Sequence, residues 1–542
     1  MKNKPFYSFK YLLLSYLTVT VILPIAYLFS TIRGESIVSV FSSVQFFPML
    51  KNSVVTTLLA TAISVALSFT LAFVINRSGI RFKSVFVVLF TIPMLIPSIS
   101  HGMGLVQLFG DNGLITNLLG INIDLYGYRG IVLGSVLYSF PVSFLMFYDS
   151  FQYEDFTVYE AAGVLGLSKW QQFLTITLPS MQRTIISAIL AVFTMVFTDY
   201  GVPLMTGGTS MTLPVYMYRE VIGMMNFSGG AVVGVVLLLP AVVAFLMDLR
   251  NSNNAGSAST VTKPYRIEPN KLRDVLVYIF FGVVLLLLCL PIIAFICLSF
   301  VKQYPIDMSF SLDNIKKLLL NRIFLYVVNS MAVALLTALL GTCLSYFSAY
   351  ITARSGKSLS NKTIHFVSML SLAIPGVVLG LSFLLTFKNM PLYGTVFILV
   401  LVNIVHFFSS PYLLAYNSLS KFNPNLEDVA QTLGITRMRM LFDVYIPCTV
   451  STIVEMYSYY FVNAMITISA VSFLINFRTT PLSLLIPQLE SQSFIEGTAL
   501  VSLLILMINL CEKGIAFFIK RGIAIRESER LRNANIITEE KR

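Results

Sequence analysis

Charge is what this sequence has least of. Of 542 residues only 11% are Asp, Glu, Lys or Arg, against about 25% in ordinary soluble chains, while 56% are hydrophobic and the mean hydropathy is +0.81. So much apolar surface exceeds what a soluble core can hide, and the composition places the chain in a lipid bilayer. Cysteine is scarce as well. The five residues (Cys289, Cys297, Cys343, Cys448, Cys511) lie in or beside apolar segments with no CxxC pair, which excludes a disulfide framework and a thiolate zinc site. Three histidines (His101, His365, His406) show no ligand spacing, and neither a Ser/His/Asp set nor paired carboxylates are discernible, so the chain is expected to be no enzyme and to hold no metal or other cofactor. A phosphate-binding loop is missing too: Gly356-Lys357-Ser358 looks like the end of one, yet Ile351 stands where its first glycine is required, and the segment closes an apolar run instead of a strand. Any ATP must then be bound by a partner. The net charge of +12 gathers in short loops between apolar runs, so no nucleic-acid partner is expected.

What is present is a series of apolar runs of membrane length, roughly 20 residues each. In the first half they fall near 11–30, 53–76, 84–109, 130–150, 183–203 and 229–248, and in the second near 275–300, 327–352, 365–388, 393–418, 449–475 and 499–519. The run Tyr11 to Ser30 follows a basic start, but it is long for a signal peptide and no small-x-small site follows, so it is taken as a retained first span. Residues 1–250 and 273–525 thus form two six-span repeats, joined by a polar linker at 251–272 and followed by a polar tail at 526–542. Landmarks recur in order: Asn52-Ser53 and Asn329-Ser330, Arg77-Ser78-Gly79 and Arg354-Ser355-Gly356, Ile96-Pro97 and Ile374-Pro375, Phe140-Pro141 and Ser410-Pro411. Six spans per repeat is an even number, so the copies are parallel and a pathway is expected where they meet. The basic loops Arg77-Arg81-Lys83, Arg250 to Arg273, Arg354 to Lys362 and the tail from Lys520 put both termini in the cytoplasm.

One short device is spelled twice on those cytoplasmic loops. Glu160-Ala161-Ala162 runs through Gly166 to Pro179, and Asp428-Val429-Ala430 runs through Gly434 to Pro447; 434 − 166 and 447 − 179 both give 268. An acid at a helix start suits the helix dipole, small residues allow close approach, and glycine permits a turn that other residues resist. Val164, Leu165, Leu167, Phe173, Leu174 and Ile176 offer an apolar face, and each proline is expected to stop the short helix and open the next span.

This pattern resembles the coupling loop of permease subunits in ABC importers, and its duplication resembles the fused permeases of the iron(III), thiamine and 2-aminoethylphosphonate group. The resemblance covers nearly the whole chain. It implies an all-α integral membrane protein with the type I ABC importer fold in a bacterial inner membrane. Glu160, Ala161, Ala162, Gly166, Pro179, Asp428, Ala430, Gly434 and Pro447 would form the loops that dock on an ABC ATPase dimer, and an extracytoplasmic substrate-binding protein would deliver a small solute. Tyr218 to Gly234 is most similar to 2-aminoethylphosphonate permeases, which makes that solute the first expectation and ferric iron the second. In the second copy Asp428, Val429 and Gln431 replace Glu160, Ala161 and Gly163, so its contact is expected to pack differently.

The alternative is a secondary transporter of the major facilitator type, which also has parallel six-span halves. The loop Arg77 to Lys83 is similar to that family's basic loop, but Asn76 stands where an acid is expected and the family has no repeated bent-helix loop. Polar residues within spans have more than one reading each. Asp199 either lines the path or orders the loop after the fifth span, or else makes a plain structural pair, and Asn403 with His406, one helical turn apart, either line a pathway or bond between helices. Glu455 is expected at the membrane interface.

Overall fold

The computed structural model describes residues 4–120, 123–253, 263, 265–320, 322–356 and 358–540. Of the linker expected at 251–272, residues 254–262 and 264 lie outside the described residues, as does Lys357 of the loop at Gly356-Lys357-Ser358. Among the described residues the chain is helical apart from turns and one antiparallel hairpin, Val301–Gln303 with Asp307–Phe310.

Among the described residues eight helices are long and apolar enough to cross a bilayer: Lys10–Ser30, Phe46–Arg77, Tyr128–Gln152, Lys169–Phe197, Phe227–Asp248, Lys271–Ser299, Ile323–Arg354 and Ile495–Arg526. Three further helix pairs are as apolar but bent at a short break, the geometry of a broken span or of a re-entrant loop: Lys83–Leu95 with Ser98–Leu119 (93°), Leu359–Ala373 with Gly376–Phe387 (112°) and Val396–His406 with Ser409–Ser420 (53°). The twelfth expected span, near 449–475, is the shorter helix Val450–Ile466, which ends where Thr467 takes extended backbone.

The two sharpest bends fall at the same landmark in both repeats, where continuous spans were expected. Proline disfavours helical backbone in the residue before it and has no N–H to donate. Ile96 (φ −115°, ψ 152°) and Ile374 (φ −103°, ψ 111°) are therefore extended, and the helices restart at Ser98 and Gly376.

The chain forms two compact units that cut across the repeats. One comprises Met1–Thr31, Leu319–Leu485 and Leu504–Arg542; the other comprises Ile32–Leu318 and Ile486–Leu503. The first helix of each repeat thus belongs to the unit built mainly from the other repeat.

Packing inside each unit relies on small and hydroxyl-bearing residues, because lipid tails are as apolar as leucine and give helices no hydrophobic reason to associate. Phe46–Arg77 lies along Tyr128–Gln152, joined by Ser64 Oγ to Ser139 Oγ at 2.9 Å and Ser68 Oγ to Ser143 Oγ at 2.7 Å. A phenylalanine cluster (Phe90, Phe140, Phe144, Phe147, Phe281) fills the space beside them. Lys271–Ser299 crosses Ser98–Phe109 at Gly104, where an added Cβ would come within 2.5 Å of Pro291 Cβ. In the other unit Gly341 faces the Tyr460 ring, 2.8 Å from where its Cβ would be.

These close approaches predict that Gly104→Val lowers the melting temperature of the detergent-solubilised protein, by an overpacking cost of about 1–3 kcal/mol. Gly282→Ala, on the same Lys271–Ser299 helix but with nothing within 4 Å of the new Cβ, should leave it unchanged in the same thermal scan.

Candidate functional site

The first repeated device is an elbow of two short helices. The Asp155 carboxylate accepts the Thr157 N–H at 3.0 Å and opens the helix Phe156–Val164. Glu160 consequently sits in its second turn and not at the helix start, because Asp155 supplies the N-cap upstream. Gly166, at φ +76°, ends the helix: the Gly166 N–H bonds the Gly163 carbonyl at 3.0 Å and the Leu167 N–H bonds the Ala162 carbonyl at 3.1 Å. This pair of bonds is the Schellman closure, which needs a residue in left-handed conformation at the glycine. Ser168 and Gln171 then form a capping box for Lys169–Gln172.

The second device repeats the helix closure, without a side-chain cap at its first helix or a reciprocal capping box at its second. Leu426–Thr432 ends at Gly434 (φ +70°), with the Gly434 N–H on Gln431 O at 3.1 Å and the Ile435 N–H on Ala430 O at 2.8 Å. Thr436 caps Arg437–Met440 through the Arg439 N–H. Asp428 lies in the first turn of its helix, as expected of an acid at a helix start.

Pro179 and Pro447 do not stop the helices as expected. Each is preceded by a π-turn, Phe173–Thr177 and Leu441–Tyr445, in which the Leu178 and Ile446 N–H groups reach back to Phe173 O and Leu441 O. The wider turn relieves the clash a proline ring makes with the carbonyl four residues back. Lys169–Phe197 therefore runs on through Pro179 as one span. In the second copy the break falls two residues past Pro447, at Thr449 (φ −120°, ψ 19°).

Ala162 and Ala430 are buried under the elbows, whereas the turn itself shows apolar side chains to the outside. Val164 is 89% exposed and Leu165 78%, and in the second copy Leu433 is 70% exposed. Lys263, from within the linker, straps the first elbow: its carbonyl accepts the Phe156 N–H at 3.0 Å and its Nζ donates to Glu160 Oε2 at 2.8 Å.

Beneath each elbow lies a buried ion pair that sequence reasoning did not single out. Arg77, the last residue of Phe46–Arg77, donates to Glu154 Oε2, with the two side chains 11% and 7% exposed. Tyr265, Tyr159 and Phe73 surround the guanidinium at 3.2, 4.6 and 5.7 Å from their ring centroids. The Tyr159 hydroxyl donates to Glu154 Oε1 at 3.0 Å and pairs with Thr177 Oγ1 at 2.9 Å. Burial pushes the Glu154 carboxyl above its ordinary value, with Arg77 and the Tyr159 hydroxyl pulling the other way, and pushes the Tyr159 phenol up to about 12. In the second copy Arg354 forks onto Glu427, Nε to Oε1 at 2.6 Å and Nη2 to Oε2 at 2.5 Å, and donates to the carbonyls of Phe422 (3.0 Å) and Asn423 (2.8 Å). The Tyr445 hydroxyl accepts from Arg354 Nε at 3.1 Å and donates to Glu427. The recurrence of Arg-Ser-Gly at both span ends was the signal that could have revealed these arginines.

The polar residues within spans fall apart by role. The Asp199 carboxylate accepts the N–H groups of Gly201 (3.3 Å) and Val202 (3.0 Å) at the start of the short helix Gly201–Thr206. Asn403 donates to Leu399 O at 2.8 Å within its own helix, and the buried His406 ring lies where a Cβ on Gly376 would come within 3.0 Å of it. Glu455 pairs with Lys520 at 3.4 Å, both about half exposed.

Two six-span repeats, each bearing such an elbow on the loop before its fifth span, define a membrane-embedded permease. The family model described as binding-protein-dependent transport system inner membrane component matches residues 61–251 and again 341–524, and the protein belongs to that family. It is accordingly a multi-pass inner-membrane permease subunit of an ABC importer, and that membership sets aside the major facilitator alternative. The chain is 23% identical to the ferric transport system permease protein FbpB of Actinobacillus pleuropneumoniae, over 86% of this chain and 70% of that one. It is 24% identical to a Haemophilus influenzae protein designated ferric transport system permease FbpB 1, over 76% and 68%. A third relative is the thiamine transport system permease protein ThiP of Escherichia coli, 22% identical over 55% of each chain.

An added side chain at Gly166 meets nothing within 4 Å, so its cost is conformational alone. Gly166→Val should raise amide hydrogen exchange across residues 156–167, through a strain of about 1–3 kcal/mol. Gly166→Asn, which tolerates the left-handed region better, should raise it less.

Proposed function

We propose that the two elbows are the docking elements through which a separate ABC ATPase dimer drives this permease, and that the spans carry ferric iron delivered by an extracytoplasmic binding protein. The observation that supports the coupling role is the matched pair of Schellman-closed elbows with apolar knuckles, a helix-in-groove geometry offered twice. Two ATPase subunits would each take one elbow, and closure of the ATPase dimer would pull the elbows with the spans attached to them. In this reading both termini are cytoplasmic, on the side of the basic loops.

Iron takes precedence over 2-aminoethylphosphonate as the proposed cargo because two relatives spanning most of the chain are ferric permeases by name. The phosphonate expectation rests on the segment Tyr218 to Gly234 with the preceding Thr198 to Pro203. Thiamine is the name of a relative with less coverage.

Deleting the gene should abolish binding-protein-dependent uptake of radiolabelled ferric iron and leave 2-aminoethylphosphonate uptake intact; the reverse result would transfer the cargo to the phosphonate. For coupling, a cysteine at Leu165 or Leu433 should form crosslinks to the ATPase in native vesicles. Their absence from both positions would remove the docking role.

A further inference from the structure

The buried trio under each elbow has the same composition and a different layout. With the 268-residue offset that aligns Gly166 with Gly434, Glu154 falls opposite Phe422, Tyr159 opposite Glu427 and Thr177 opposite Tyr445. The acid therefore comes from the segment before the helix in one copy and from the helix in the other. The tyrosine moves from the helix to the π-turn. An arginine, a carboxylate and a tyrosine hydroxyl nonetheless meet in both places. Local packing inherited from a common repeat would keep its residues in register; here the register changed and the grouping of arginine, carboxylate and tyrosine did not.

The contact joins several pieces of backbone in each copy. Arg77 brings in the end of the second span, Glu154 the segment entering the elbow, Tyr159 the elbow helix, and Thr177 the π-turn that leads into the fifth span. Arg354, Glu427 and Tyr445 do the same for the second copy, with the Phe422 and Asn423 carbonyls holding the entering segment directly. A guanidinium buried at a span end is costly unless its charge is met; Arg354 meets Glu427 with its planar fork, whereas Arg77 is held by one Nη2 bond to Glu154 and by the Tyr265 and Tyr159 rings, its Nη1 without a hydrogen-bond partner among the described residues. Such a joint resists rotation of an elbow relative to its spans, whereas the exposed knuckles have no such hold.

Resting on the docking role proposed above, we propose that Arg77 and Arg354 are positioning residues for transport: each locks its elbow to the second and fifth spans, so that displacement of the elbow becomes displacement of the spans. The knuckle provides grip and the arginine joint provides transmission. Loss of the joint should leave the ATPase bound and active while the movement it produces is dissipated at the elbow.

The test uses the full permease with its ATPase and binding protein in proteoliposomes, and three readouts: crosslinking from a cysteine at Leu433 or Leu165, ATP hydrolysis, and solute transported per ATP. Arg354→Gln and Glu154→Phe should keep the crosslink and hydrolysis while transport per ATP falls about tenfold or more. Arg354→Lys, which keeps charge but loses the fork, should fall in between. Adding Tyr159→Glu and Thr177→Tyr to Glu154→Phe rebuilds the first joint in the second copy's layout and should restore most of the lost transport per ATP. Transport per ATP within twofold of the parent in Arg354→Gln, or a rearranged trio that keeps the parent melting temperature yet transports no better than Glu154→Phe, would overturn the proposal. A missing crosslink in the parent protein would instead bring down the docking reading on which it stands.

Discussion

A helix in lipid gains nothing by exchanging tail contacts for leucine contacts, so whatever fixes the spans of this protein to one another must be something lipid cannot supply. Within each unit that something is close backbone approach at small residues and hydrogen bonding between hydroxyls. Gly104 against Pro291 and Gly341 against Tyr460 let helix axes come near, and the Ser64–Ser139 and Ser68–Ser143 pairs add direction. At the span ends the same need is met by charge, where Arg77 and Arg354 find acids that lie outside the spans. The spans and the elbows are thereby held by different chemistry, and only the second kind ties a surface-exposed element to a buried one.

The elbows themselves are shaped by two residue types with opposite conformational limits. Glycine supplies the left-handed turn that closes the first short helix, at φ +76° in one copy and +70° in the other. Proline, which ought to interrupt the helix leading into the fifth span, is admitted by a π-turn that shifts the hydrogen bonding by one residue. The result is a tight bend joined directly to a membrane helix, with little slack between them. The first elbow carries the Lys263 strap, an exposed ion pair with a backbone bond to Phe156 and a bond from the Lys263 N–H to the Asp155 carboxylate, and exposed pairs of that kind contribute about 0–1 kcal/mol. The strap makes the two elbows chemically distinct without deciding their shape.

The duplication, the positions of the eight long apolar helices, and the two glycines at the bends were legible because each depends on short-range pattern: run length, residue spacing and the φ preference of glycine. The interruptions at Ile96-Pro97 and Ile374-Pro375 were visible as repeated landmarks inside runs that hydropathy presents as continuous, since hydropathy does not register a change of direction. The prolines at 179 and 447 misled for a related reason. A proline's effect depends on whether the preceding turn can widen, and nothing in the residue types announces a π-turn.

By itself the sequence determined that the chain is membrane-embedded, that it is built as two repeats, and that each repeat carries a glycine-hinged elbow, because all three depend on interactions between near neighbours or on bulk composition. Which helices share a unit was decided only by tertiary structure: Met1–Thr31 belongs with the second repeat and Lys271–Ser299 with the first, an exchange that leaves no periodic trace. The arginine joints were likewise beyond sequence. Arg77 meets Glu154 and Arg354 meets Glu427 across more than seventy residues of chain, and a contact between distant residues that changes register between copies has no local signature, only a spatial one.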